Sequence, residues 1–151
     1  MKSMKLFLAA SLVLVSISCF GFDRDKVVTF SNLPKESQKF IKTHFPNVKV
    51  SRVVKDIDSF THSWEVDFVN GWEIEFTGTG KWDHIDCKGS AVPASVLALL
   101  PANILTYCKA AHFPNAVIVE IDHETYGYEV ELSGDITIEF DKKGNFIRID
   151  D

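Results

Sequence analysis

The tetrapeptide HFPN occurs at residues 44–47 and again at residues 112–115. Similarity continues outward from both copies, because Leu33-Pro34 upstream of the first corresponds to Leu100-Pro101 upstream of the second. The matched downstream segments are WEVDF (64–68) with YEVEL (128–132), WEIEF (72–76) with ITIEF (136–140), and GKWDHID (80–86) with GNFIRID (144–150). Order, spacing and residue type hold over roughly fifty residues, which indicates an internal duplication.

Each copy opens with a predicted helix. Pro34 and Pro101 suit the first helical turn, where a missing N–H costs little. Pro46 and Pro114 end the helices, because proline disfavours the helical conformation of the residue before it. A further short helix is predicted at residues 93–99, ahead of the second main helix.

The remaining segments are predicted strands. Residues 48–54 and 116–121 are rich in β-branched side chains, and the later segments alternate apolar and acidic residues, as half-buried antiparallel strands do. Asn70-Gly71 between two such runs predicts a hairpin with a type I′ turn. The sequence therefore predicts an α+β fold, a tandem repeat of a helix plus a four-stranded antiparallel sheet with the helices packed on one sheet face. The two sheets either join or lie side by side.

The N-terminus, residues 1–21, is predicted to be a signal peptide. A basic start is followed by an apolar run from Leu6 to Phe22 that ends among small residues, which is typical of an export signal. A membrane anchor is the first alternative, although the run is slightly shorter than the ~20 apolar residues of a spanning helix. Lipidation at Cys19 is the second alternative and would tether the protein to a membrane surface.

Removal of the signal leaves residues 22–88 as the first repeat and 89–151 as the second, together forming one compact domain without a transmembrane segment. A periplasmic or secreted location follows. The mature chain has 14 basic and 21 acidic residues, a net charge of −7, since Lys2 and Lys5 are lost. Such a surface repels phosphates, so nucleic acid is not an expected partner.

Two cysteines, Cys87 and Cys108, remain in the mature chain. An oxidising compartment would allow them to pair, but the interpretation favoured here is two buried free thiols that act as small apolar side chains. Their spacing matches no zinc motif, and no phosphate-binding glycine loop is present. The sequence therefore predicts neither a metal site nor a cofactor. Clustered carboxylates leave calcium as a weak option without the usual calcium-binding loop.

The export signal, the two helices ending in HFPN, and the segments NGWEIEF (70–76) and GNFIRIDD (144–151) resemble the PepSY-like periplasmic proteins of Bacteroidetes. The resemblance covers the chain from about Val27 to Asp151. It implies the fold of the β-lactamase inhibitory protein, a tandem repeat of helices packed on four-stranded antiparallel sheet. Shape alone does not imply inhibition of a β-lactamase.

Catalytic motifs are not recognisable in the sequence. His44 and His112 fall in the last turn of the two main helices, where the helix dipole favours a partly protonated imidazole by about 0.3–1 kcal/mol without any ligand. No serine lies in a nucleophile elbow, and neither cysteine has a catalytic context. We therefore predict that the protein is not an enzyme; the alternative is a hydrolase that uses paired carboxylates.

The sheet face away from the helices is the candidate site. Period-two alternation turns Glu73, Glu75 and Glu139 outward on the middle strands, and the same rule applied from Ile85 and Ile149 turns the last-strand residues outward: Trp82, His84, Phe146 and Arg148. Aromatic anchors on an acidic surface suit recognition of a basic partner. The alternative is that Trp82 and Phe146 fold over the edge of the core beside their glycine turns.

The sequence thus predicts an exported, non-catalytic binding or inhibitor-like module that recognises a protein, peptide or small ligand through the open sheet face. The expected partner is a protein or peptide of unknown identity, of basic character if it meets the acidic residues. The alternatives are the carboxylate-dependent hydrolase and an envelope structural protein without a specific ligand.

Overall fold

The structure, a computed structural model, describes residues 25–57, 62–109, 113 and 115–150. The expectations for the signal peptide, Cys19, His112 and Pro114 fall outside the described residues. This part of the chain contains a 3-10 helix (Phe30–Asn32) and three α-helices: α1 (Lys35–His44), α2 (Ala94–Leu97) and α3 (Ala102–Lys109). The strands are β1 (Lys26–Val28), β2 (Val50–Ile57), β3 (His62–Phe68), β4 (Glu73–Thr77), β5 (Trp82–Asp86), β6 (Ile118–His123), β7 (Gly127–Leu132), β8 (Ile136–Asp141) and β9 (Phe146–Asp150).

All nine strands form one antiparallel sheet in the order of the sequence, from β1 to β9. The predicted fold class, a tandem repeat of a helix plus a four-stranded sheet, is therefore wrong. The strands belong to a single sheet, and the helices are short, with 10, 4 and 8 residues. A single sheet is favoured because two separate four-stranded sheets would expose additional edge strands with unpaired backbone groups.

The continuity of the sheet rests on β5 and β6. Ile85 pairs with Ile121, with His84 opposite Asp122 and Asp86 opposite Glu120. Local periodicity contains no information about this pairing, because more than thirty residues and two helices separate the strands. Strand β1 was also not predicted, because its three residues are too few to give a periodic pattern in the sequence.

One apolar row crosses the sheet beneath the helices. Its members are cross-strand neighbours with no exposed surface in six successive strands: Val66, Ile74, Ile85, Ile121, Val130 and Ile138. Ile41 of α1 and Ile104 of α3 are buried against the same core. Each such aliphatic side chain stabilises the fold by about 1.5–3 kcal/mol through burial. The helices therefore lie on one sheet face only.

The turn predicted as type I′ at Asn70-Gly71 has a different conformation. Gly71 has a φ of +88°, but Asn70 does not have a positive φ. The Gly71 N–H donates to the carbonyl of Phe68 at 3.0 Å, so the turn closes over Val69 and Asn70. Gly71 follows that turn as a left-handed residue, which a type I turn with an adjoining bulge requires. The hairpin is confirmed and its turn type is wrong.

Two other hairpin glycines fix the helices to the sheet. Gly80 and Gly144 have φ values of +95° and +80°, and an added Cβ would lie 2.6 Å from Pro34 Cβ and 2.7 Å from Pro101 Cβ. The Ser37 hydroxyl of α1 also donates to the Gly80 carbonyl at 3.0 Å. The first turn of each main helix therefore packs directly against the hairpin at the start of β5 or β9.

Candidate functional site

The predicted outward orientation of Trp82 and Phe146 is wrong. The register of β4 with β5 shifts by one residue, so His84 lies opposite Glu75 whereas Trp82 lies opposite the buried Phe76. Strands β8 and β9 contain the same irregularity, and Phe146 lies opposite the buried Phe140. A bulge inserts one residue and reverses the face of the residues beyond it. Both aromatic rings therefore lie on the helix side.

Each of these rings completes an aromatic stack at a helix. Trp82 stacks on Phe40 of α1 with ring centroids 6.0 Å apart and contacts the His123 ring at 3.9 Å. Phe146 stacks on Tyr107 of α3 at 4.7 Å, with 12° between the ring planes. The alternative interpretation, in which both rings pack at the edge of the core beside the glycine turns, is the one that the structure supports.

Shallow clefts adjoin both stacks at equivalent sequence positions. The cleft beside Trp82 has a volume of about 240 Å³, and the cleft beside Phe146 about 360 Å³. The first is lined by Glu36, Phe40, Gly80, Lys81, Trp82 and His123. The second is lined by Asn103, Thr106, Tyr107, Gly144, Asn145 and Phe146. Because the lining side chains differ in charge, the two clefts do not form one repeated site.

The opposite sheet face carries two rows of polar cross-strand neighbours. The first row runs from β2 to β9 through Val54, Glu65, Glu75, His84, Asp122, Glu129, Glu139 and Arg148. The second row runs through Arg52, Asp67, Glu73, Asp86, Glu120, Glu131, Thr137 and Asp150. Within the described residues, all of these side chains except Val54 and Glu139 are at least partly exposed. We call this surface the acidic face; it bears eleven carboxylates.

Several of these carboxylates lie directly opposite one another. Glu65 pairs with Glu75 across β3 and β4, and Glu129 pairs with Glu139 across β7 and β8. Burial, and then the neighbouring carboxylates, raise the pKa of Glu65, while burial is also the largest cause of the raised pKa values of Glu75 and Glu129. Like charges opposite each other destabilise a sheet. These two carboxylate pairs therefore oppose folding, and the ion pairs of Glu65 with Arg52 and of Glu139 with Arg148 offset part of that repulsion.

His84 occupies the centre of the acidic face. Its Nδ1 lies 2.6 Å from Asp122 Oδ1 and 3.9 Å from Glu120 Oε1, and its side chain is 20% exposed. The hydrogen bond to Asp122 outweighs burial and raises the pKa of His84 to about 9. At neutral pH the imidazole is therefore a cation that partly neutralises the carboxylates around it. The sequence predicted the position of His84 but not this partner, which depends on the unpredicted pairing of β5 with β6.

The same three residues are the group in the described chain whose geometry suits a metal ion. One ligand atom from each of His84, Glu120 and Asp122 lies within 4.8 Å of the others. An imidazole with two carboxylates suits a transition metal such as zinc better than calcium, which takes oxygen ligands. A metal would have to displace the His84 proton, and its pKa of about 9 makes that displacement unfavourable at neutral pH.

Cations also border the acidic face on its outer strands. Arg148 of β9 donates to Glu139 Oε1 at 2.5 Å and lies 3.1 Å from Asp150 Oδ2. Arg52 of β2 contacts Glu65 at 2.7 Å and Asp67 at 2.5 Å. Lys88, just beyond β5, pairs with Asp86. The predicted residues Glu73, Glu75, Glu139, His84 and Arg148 all lie on this face.

The remaining candidate groups have structural roles. His44 Nδ1 lies 2.9 Å from Ser95 Oγ, and burial lowers the pKa of His44, which opposes the protonated form that the helix dipole favours. Cys87 and Cys108 are free and buried, as predicted. Burial raises the thiol pKa to about 12 for Cys87 and about 11 for Cys108. Neither thiol can supply a thiolate nucleophile at neutral pH.

Fold and site together define the class: a single antiparallel sheet with helices on one face and a charged, open surface on the other. The chain belongs to the beta-lactamase-inhibitor-like, PepSY-like family, whose model matches residues 62–148. The family predicted from the sequence is confirmed. No match was found among curated proteins.

Solved structures extend the similarity to most of the chain. A Bacteroides thetaiotaomicron periplasmic protein, described as calcium-regulated, is 37% identical over 87% of this chain and 100% of that chain, with a TM-score of 0.80. A periplasmic protein of the DUF2874 family from Bacteroides vulgatus is 40% identical over 87% and 100% of the two chains, with a TM-score of 0.78. A second Bacteroides vulgatus periplasmic protein is 32% identical over 84% and 99%, with a TM-score of 0.77.

These relatives confirm the predicted location outside the cytoplasm, because all three are periplasmic proteins. In the part of the chain that the structure describes, no helix has the length and apolar character needed to cross a membrane.

Proposed function

We propose that this protein is a non-catalytic periplasmic module that binds a basic protein or peptide through its acidic face. The observation that carries the proposal is the set of eleven carboxylates in two cross-strand rows on the sheet face opposite the helices. Three basic residues and His84 share this surface, so it remains strongly anionic. A surface of one sign attracts partners of the opposite sign and raises their association rates.

The spacing of the rows suits an extended cationic chain. Neighbouring strands lie about 4.8 Å apart, and residues two positions apart along one strand are separated by about 6.8 Å. Glu65 and Glu75 on the first row, with Asp67 and Glu73 on the second, form a block of four carboxylates at these spacings. Lysine or arginine side chains of a peptide crossing the strands would meet a carboxylate at nearly every strand.

The stability cost of the face supports the same proposal. Glu65 opposite Glu75 and Glu129 opposite Glu139 are repulsive contacts, and each such pair destabilises the sheet by roughly 0.2–1 kcal/mol. A bound cationic partner would relieve this repulsion. Binding and folding are then linked, so that the partner raises the thermal stability of the protein.

A catalytic role has less support. Both cysteines are buried with raised thiol pKa values. The His84 imidazole is held by Asp122 as a cation and is therefore not available as a general base at neutral pH.

A second candidate, binding of Ca²⁺ at the acidic face, is favoured by one relative. The Bacteroides thetaiotaomicron protein that is 37% identical to this chain is described as calcium-regulated. Carboxylate oxygens are the ligands that Ca²⁺ prefers, and paired glutamates such as Glu65 and Glu75 offer them in this chain. Ca²⁺ and a basic peptide would compete for the same oxygens.

Calorimetric titration with octalysine at low ionic strength tests the proposal, with a serine–glycine peptide of equal length as the ligand control. The double variant Glu73→Gln/Glu75→Gln should weaken octalysine binding about tenfold, equivalent to about 1.4 kcal/mol. The matched control Glu36→Gln/Asp135→Asn removes two charges away from the face and should change the affinity little. Equal losses in both variants would show that net charge, rather than the acidic face, determines binding.

The same titration with CaCl₂ separates the two candidates. Calcium would be favoured as the ligand if the wild type releases or absorbs heat on titration with CaCl₂, the variant Glu73→Gln/Glu75→Gln does not, and octalysine does not bind. Binding of octalysine that Ca²⁺ reduces would place both ligands at the acidic face.

A further inference from the structure

β9 is a free edge of the sheet with exposed apolar side chains. Among the residues that the structure describes, it pairs with β8 alone and lies at the end of the strand order. Phe146, Ile147 and Ile149 are 44%, 45% and 37% exposed. An edge strand presents unpaired N–H and C=O groups that can pair with another strand. β9 therefore combines a backbone template with apolar surface.

The opposite edge of the sheet, strand β1, is less suited to the addition of another strand. β1 has only three residues, Lys26–Val28, and begins directly after the charged Asp25. Short edge strands and edge charges are features that prevent edge-to-edge association. β9 has five residues and no proline, and its two charged residues, Arg148 and Asp150, have opposite signs, so they do not by themselves repel a second β9. Strand addition is thus favoured at β9 rather than at β1.

The charges on β9 are complementary to those of a second β9 in the antiparallel direction. Arg148 and Asp150 both project on the acidic face, two positions apart, with Ile149 between them on the opposite face. Antiparallel pairing about Ile149 places each Arg148 opposite the second copy's Asp150. A shift by two residues that brings Ile147 opposite Ile149 would place the two Arg148 side chains opposite each other, where like charges repel.

We propose that two copies of this chain associate by antiparallel pairing of β9 with β9, with Ile149 at the two-fold axis. Arg148 is 60% exposed and Asp150 is 49% exposed, so both side chains can reach across the new strand pair. The contact is isologous and closes as a dimer. It is also small, and small interfaces are typical of weak, transient association.

This pairing has a consequence for the acidic face. Antiparallel edge pairing uses a two-fold axis perpendicular to the sheet, so the acidic faces of both copies lie on the same side of one continuous sheet. A basic partner long enough to contact both copies would gain avidity from the dimer. The dimer itself does not depend on the proposed binding function, because its test measures only self-association.

A charge-reversal experiment tests the dimer. R148D gives β9 two acidic side chains, and D150K gives it two basic side chains. Each variant alone should remain monomeric at concentrations at which the wild type dimerises in sedimentation velocity. An equimolar mixture should form a heterodimer, because every cross-strand pair then joins opposite charges. D25K, which makes the same charge change as D150K at the β1 edge, should dimerise like the wild type.

Three results would overturn the proposal: a monomeric wild type up to millimolar concentration, a dimer that D150K leaves intact, or a mixture that stays monomeric. Loss of the Arg148–Glu139 ion pair in R148D also affects folding, so circular dichroism accompanies each measurement. D150K keeps the Arg148–Glu139 ion pair, so it tests the proposal even if R148D does not fold. The dissociation constant of the D150K dimer should be at least tenfold higher than that of the wild-type dimer.

Discussion

At the scale of the residue, His84 shows how burial and partner determine charge. Its imidazole is surrounded by carboxylates on neighbouring strands, with Asp122 at 2.6 Å and Glu120 at 3.9 Å. The sequence places a histidine on an alternating strand, which establishes its face but not its protonation. The partner comes from a strand 38 residues away. A cationic His84 therefore follows from tertiary pairing rather than from local sequence.

The first prediction concerns pH. The folded pKa of His84 is about 9 against an ordinary value of 6.5, so the stabilisation by its proton is complete below pH 6.5 and is lost as pH rises through 9. The pKa values of His44 and His123 are lowered, so these residues change the unfolding free energy only below about pH 6.5 and do not contribute to this loss. The unfolding free energy should fall by about 1–2 kcal/mol between pH 6.5 and 8.5, below the range in which the cysteine thiols ionise, after allowance for solvent screening.

Urea denaturation at several pH values measures this loss, and H84Q is the matched variant. The H84Q curve should be nearly flat from pH 6.5 to 8.5 and fall only above that range, where the thiols of Cys87 and Cys108, whose folded pKa values are raised by burial, ionise in the unfolded chain alone. A wild-type stability that is constant from pH 6.5 to 8.5 would show that His84 is not held as a cation by Asp122.

At the scale of the element, hairpins, helix starts and strand periodicity were predictable, whereas bulges were not. Period-two alternation counted back from Ile85 places Trp82 on the wrong face, because Asp83 is an extra residue opposite the step from Glu75 to Phe76. A one-residue insertion leaves no periodic trace in so short a strand. The pairing of β5 with β6 was likewise hidden, since it depends on packing between distant segments.

The second prediction concerns Trp82. Because its ring packs on Phe40 and His123 rather than facing the acidic surface, Trp82→Ala should lower the unfolding free energy by about 2–4 kcal/mol. The affinity of the folded variant for octalysine should stay unchanged. Chemical denaturation and calorimetric titration measure the two quantities. A stable variant that has lost binding would restore Trp82 to the binding surface.

The third prediction concerns the junction of α3 with the β8–β9 hairpin. An added Cβ at Gly144 would lie 2.7 Å from Pro101 Cβ, whereas none of the protein lies within 4 Å of a Cβ at Gly134. Both residues have positive φ, so both alanine variants carry the backbone cost of about 1 kcal/mol. Gly144→Ala should cost a further 1–3 kcal/mol from overpacking. Equal stability losses in thermal unfolding would mean that helix and hairpin do not pack closely.

At the scale of the whole molecule, one sheet has an apolar face that is covered by the helices and an acidic face that is open. The helix face supplies stability through its apolar row, including Ile74 and Ile138 without exposed surface. The acidic face carries repulsive carboxylate pairs that stability alone would remove. The alternation of acidic and apolar residues made this division predictable. Its extent across eight strands depends on the single sheet, which the sequence did not reveal.

The fourth prediction concerns ionic strength. Because binding at the acidic face is proposed to be electrostatic, the affinity for octalysine should fall steeply as NaCl rises from 10 mM to 150 mM, where the screening length shortens from about 30 Å to about 8 Å. The unfolding temperature of the free protein should rise with salt over the same range, since repulsion between carboxylates is screened. An affinity independent of salt would indicate apolar recognition instead.

The most direct measurement of the central claim is a nuclear magnetic resonance titration of isotope-labelled protein with octalysine. The proposal predicts saturable shift changes concentrated along the acidic face, at Glu65, Glu75, Asp122 and Glu129 and their neighbours on β3 to β8, with small changes in α1 and α3. Changes concentrated around the clefts at Trp82 and Phe146, or no changes at low ionic strength, would contradict the proposed binding surface.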